Sequence, residues 1–82
     1  MRANRAYDLI VHRQGRFFRP SDALEQVELV EIDTGETVLL WDTRPRYTGK
    51  LARALRADLA QMDAEPFFAK WRRYDLADDG GA

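Results

Sequence analysis

The sequence predicts an α+β domain, in which a three- to four-stranded antiparallel meander is followed by one long and one short C-terminal helix packed on one face. Three observations predict it. Two β-rich runs flank Asp33-Thr34-Gly35-Glu36 within residues 25–43, which reads as a β-hairpin. Leu51, Leu55, Leu59 and Met62 recur with helical period, as the buried stripe of a helix does. Phe67, Trp71 and Tyr74 then repeat that spacing over a shorter segment.

Taken in order, residues 1–5 offer no pattern and are expected to fray. Tyr7–His12, YDLIVH, reads as a strand; Gln14-Gly15 turns it, and Arg16-Phe17-Phe18 returns as a second, brief strand. Pro20-Ser21-Asp22 ends that strand, because proline lacks the N–H that a ladder needs while serine and aspartate favour turns. The main hairpin follows, with strands over about 25–33 and 36–42. Its linking residues suit a type I turn closed by glycine in the left-handed region, and Gly35 tolerates the positive φ required there.

Alternation within the hairpin is incomplete. Val38 and Leu40 point one way and Leu39 and Trp41 the other; Val27 and Leu29 likewise oppose Val30 and Ile32. Strands that are apolar on both sides belong to sheets covered on both sides. One layer of helix covers only one face, so the second face needs another cover. A bulge near Leu29-Val30 would re-phase one strand and weaken that inference. Thr43–Tyr47 reads as a loop stiffened by Pro45, with Thr48 as N-cap of the long helix. The short helix, EPFFAKWRRYD, accepts Pro66 in its first turn, and residues 76–82 look disordered. No repeat or linker divides the chain, so residues 1–82 make one domain.

Composition narrows the function classes. There is no cysteine, which removes disulfides and thiolate metal sites. No run approaches the ~18 apolar residues of a membrane span, and the basic N-terminus lacks a signal peptide's apolar segment. The preference for arginine, alanine, aspartate and leucine over lysine is that of a GC-rich bacterial genome, so the expectation is a bacterial cytoplasmic protein.

Charge is unevenly distributed although the net value is −1. Residues 1–19 hold five arginines and one aspartate, residues 20–43 seven acids and no base, and residues 44–56 five bases and no acid. Pairing of the basic helix with the acidic hairpin inside the fold would explain these blocks without a partner. Alternatively, Arg44, Arg46, Lys50 and Arg53 face outward around a helix N-terminus and bind an anion. Gly49-Lys50 lacks the upstream glycine and following Ser/Thr of a phosphate-binding loop.

Catalysis has little to stand on. His12 and Ser21 are the only histidine and serine, and no G-x-S-x-G turn surrounds the serine. The acids of 22–36 follow strand spacing and lack an EF-hand register. Trp71-Arg72-Arg73-Tyr74 mixes cations with aromatics, but on a helix the two aromatics share a packing face. The expectation is a non-enzymatic interaction or regulatory module, working as a homodimer through Val38, Leu39, Leu40 and Trp41. It would take no cofactor, metal, membrane or small-molecule substrate. The alternative is a nucleic-acid-binding accessory protein that uses residues 44–56.

Overall fold

The computed structural model describes residues 1–13 and 24–74. Their order is α1 (Ala3–Ala6), β1 (Tyr7–His12), β2 (Glu25–Glu31), β3 (Thr37–Thr43), α2 (Pro45–Gln61) and α3 (Ala64–Trp71). The strands form one antiparallel sheet in the order β1-β2-β3, and the helices lie on one side of it. This is the predicted α+β meander with its long and short helix. The brief strand expected at Arg16–Phe18 and the tail from residue 76 lie outside the described residues.

The inner sheet face is built by alternation. Leu9, Leu29 and Leu39 align across the three strands, as do Val11, Val27 and Trp41. Leu51, Leu55 and Leu59 of α2 and Phe67 and Trp71 of α3 close over Val27 and Leu29 to form the core. Aromatic rings extend it: Trp41 meets Trp71 edge-on at 6.1 Å between centroids, and Tyr74 meets Trp71 at 5.2 Å. The Trp41 indole Nε1–H also donates to the Tyr74 carbonyl at 3.3 Å.

The hairpin turn is wider than the sequence suggested. β2 stops at Glu31 and β3 starts at Thr37. Gly35 N–H donates to Glu31 O at 2.8 Å, Glu31 N–H donates to Glu36 O at 2.8 Å, and Gly35 has φ +73° as its turn position requires. The register then shifts, since Leu29 faces Leu39 while Val30 faces Thr37, leaving Val38 as the extra residue of a bulge.

Two local expectations are corrected. Thr48 is not the N-cap of α2. The helix begins at Pro45, whose missing N–H costs nothing at the first helical position, and Arg44 occupies the cap. Thr48 is buried one turn in, with its hydroxyl 2.6 Å from that of Thr43, which ties α2 to the end of β3. The first residues do not fray either. Ala3 is buried, its N–H donates to Met62 O at 2.9 Å, and Ala64 N–H donates to Met1 O at 2.8 Å. Arg2 reaches the last carbonyls of α2, with Nη1 donating to Gln61 O at 3.0 Å.

Candidate interaction surfaces

Of the residues singled out for binding, the basic ones share the solvent side of α2, whereas those of β3 divide between the core and the outer face of the sheet. On β3, the four candidates for an interface do not share one fate. Trp41 is turned inward and 7% exposed, held by Trp71 and Tyr74. Val38 and Leu39 are half-buried and pack against the core, Val38 because the bulge rotates it off the alternating pattern. Leu40 is left 52% exposed on the outer face of the sheet. Ile10 of β1, across Glu28 in the same row, is 39% exposed, and Ile32 at the hairpin tip is 49% exposed. Among the described residues, no element lies over this face.

The polar part of the outer face is a network that crosses all three strands. Glu28 on β2 takes a 2.8 Å contact from His12 Nε2 on β1 and a hydrogen bond from the Thr37 hydroxyl on β3. These two hydrogen bonds, His12's first, hold the Glu28 carboxyl below the usual glutamate range. Gln26 Nε2–H donates to Asp42 Oδ1 at 3.1 Å in the neighbouring row.

The second surface is the solvent side of α2. Arg46, Lys50 and Arg53 fall at i, i+4 and i+7 and are all exposed, opposite the buried stripe of Leu51, Leu55 and Leu59. Arg44 at the cap and Arg56 one turn on are exposed as well. Pairing of this block with Asp42, Asp58 and the acidic hairpin is not found. Asp42 is engaged by Gln26, while Asp58 accepts from Lys70 at 2.6 Å and from the Trp71 indole at 3.0 Å. The ion pairs among the described residues are His12–Glu28, Arg13–Glu25 and Lys70–Asp58. The five bases of 44–56 are in none of them. Layering is the reason: the hairpin's acids belong to the sheet, and this face of α2 points away from it.

That arrangement runs against helix electrostatics. The first turn of α2 contains no acid, and its cap residue makes no side-chain hydrogen bond. Cations there oppose the positive end of the macrodipole, and like charges three or four residues apart destabilise a helix by about 0.2–0.5 kcal/mol per pair. Arg46 partly compensates by lying over the Tyr47 ring at 4.9 Å, with Tyr47 itself 45% exposed.

The remaining features are slight. A shallow cleft at one end of the sheet is lined by His12, Arg13, Leu24, Gln26 and Asp42. Ser21 lies outside the described residues, so its distance from His12 is not defined, and the His12 ring is engaged by Glu28. Trp71 is core and Tyr74 half-buried, while Arg72 and Arg73 are exposed. Among the described residues, no group of three His, Asp or Glu side chains is placed to hold a metal, and no helix is long and apolar enough to cross a membrane. In comparisons with protein-family models, curated proteins and solved structures, the chain matches none of them.

Proposed function

We propose that the protein is a non-enzymatic interaction module that works as a homodimer, with β3 of one copy pairing antiparallel to β3 of the other. One observation carries this reading: the longest unbroken apolar run in the sheet, Val38-Leu39-Leu40-Trp41, lies on an edge strand. The central strand β2, EQVELVE, alternates strictly up to Leu29, with Gln26 and Glu28 outward and Glu25, Val27 and Leu29 buried. An edge strand usually protects itself with lysine, proline or an inward charge, and β3 has none of these. Its bulge at Val38 bends one end and leaves Leu39–Thr43 regular.

Charge favours a second copy at this edge. Stacking two sheets face to face would instead bury Asp8, Glu28 and Asp42 of both copies in one interface. Edge pairing avoids that. Antiparallel registers centred on Leu40 or on Trp41 place Asp42 opposite Val38 or Leu40, never opposite another aspartate. In the register centred on Leu40 the two Leu40 side chains face each other, which gives an apolar neighbour to a side chain that one subunit leaves half in water. Such a seam regulates by concentration, since it forms only where two copies meet.

Sedimentation equilibrium at micromolar concentration tests the reading. The expected mass is twice the 9.5 kDa of the chain. Leu40→Lys, at an exposed site that no core residue needs, should return a folded single chain with unchanged circular dichroism. A wild-type protein that stays at one chain mass up to high micromolar concentration refutes the homodimer.

A further inference from the structure

The basic side of α2 is not absorbed by that reading and points to a ligand of its own. We propose that the solvent face of α2 docks the phosphate backbone of single-stranded nucleic acid without regard to sequence. Arg46, Lys50, Arg53 and Arg56 form a row that spans about 15 Å at ~1.5 Å per residue. Arg44 extends it at the helix start. A row of unpaired cations suits a polymer with regularly spaced charge, and the layer that carries the acids lies on the far side of the molecule.

Three further facts favour a polyanion here, and among polyanions a nucleic acid. Beside and beyond the cations, the α2 face offers only the small side chains of Gly49, Ala57 and Ala60, so it has no aliphatic anchor for a protein partner. The one exposed aromatic on the helix, Tyr47, stands beside the row, where a base can stack on it. The helix also accepts mutual repulsion of these side chains and opposition from its own dipole, both of which a polyanion relieves. The net charge of −1 does not speak against this, because most of the acids among the described residues belong to the sheet and hairpin and not to this face of α2.

Fluorescence anisotropy with a labelled mixed-sequence oligonucleotide, titrated between 50 and 200 mM salt, tests the proposal. With about four phosphates contacted, log K should fall against log salt with a slope near −3, or roughly a fifty-fold loss of affinity over that range. The double variant Arg46→Ala/Lys50→Ala should flatten that slope by about 1.4, two contacts' worth. Tyr47→Ala should leave the slope intact and weaken single-strand binding at least about fivefold. Arg72→Ala/Arg73→Ala, off this face, should change neither. Absence of binding at 50 mM salt overturns the proposal, as does an unchanged slope in the double variant. So does a polyglutamate of equal charge that binds more tightly than the oligonucleotide, since that assigns the face to an acidic protein. The Leu40→Lys variant reports on dimerisation alone, so the two readings fail separately.

Discussion

The central strand β2 and the edge strand β3 differ in a way that reverses their usual roles. β2, with a neighbour on each side, spends its outward positions on polar residues, and Glu28 reaches both neighbours through His12 and Thr37. β3, with a neighbour on one side among the described residues, turns Leu40 outward at 52% exposure, beside the polar Asp42. A strand composed like a sheet interior but placed at an edge has its hydrogen-bonding groups and its apolar side chain available together. The lesson is that burial by helices is not what limits this fold. Its inner face is packed by the helices, and exposed apolar side chains remain elsewhere: Leu40 on β3, Ile10 on β1 and Ile32 at the hairpin tip.

The two sides of β3 can be separated by substitution. Trp41→Ala removes an indole held between Trp71 and Tyr74 and should destabilise the fold by about 3–5 kcal/mol, measured by urea denaturation. Leu40→Ala, one residue away but facing out, should lower monomer stability by less than about 0.5 kcal/mol. If the two cost the same, the distinction between a filled inner side and an open outer side is lost.

The turn that sets β3 against β2 comes next in size. Gly35→Val meets no atom within 4 Å at the new Cβ, so its cost is the backbone strain of positive φ alone, about 1–2 kcal/mol. Gly35→Asn should cost less, because asparagine tolerates that region. Equal losses for the two would mean that side-chain crowding matters there after all.

The smallest effect concerns the polar network on the outer face. Glu28 is held below its ordinary value, so its contribution to stability is fully present above about pH 4.3 and is lost as pH falls through its lower folded value. Acid titration of Glu28→Gln, followed by circular dichroism, should show a shallower decline across that window than wild type. Identical acid profiles would mean that the His12 and Thr37 hydrogen bonds add nothing in solution.

Much of this architecture was legible in the sequence because two periods carry it. Leu51, Leu55 and Leu59 announce α2, and the Asp33–Glu36 turn announces the hairpin. The failures have physical reasons. Thr48 looked like a cap because threonine often is one, yet Pro45 at the first helical position was the stronger signal and the Thr48 hydroxyl serves Thr43. α1 carries no apolar stripe at all. It is held by the Ala3 N–H bond to Met62 O and, just before it, the Ala64 N–H bond to Met1 O, which no side-chain pattern advertises. For the surfaces, adjacency in sequence misled: residues 44–56 follow the acidic hairpin directly, but a turn into a second layer carries their charges away from it. The two-sided hairpin was expected to set Val38 and Leu40 on one face, but the bulge beside Leu29-Val30 turns Val38 onto the core and leaves Leu40 alone outside, while the inward turn of Trp41 depends on Trp71 and Tyr74, some thirty positions later.

Amide hydrogen exchange at low and high micromolar concentration tests most directly whether β3 is a paired strand. The account predicts that Leu39–Thr43 gain protection as concentration rises, while Leu9–Val11 on the opposite edge keep the same rates. Rates on β3 that do not respond to concentration, with both edges exchanging alike, would contradict it.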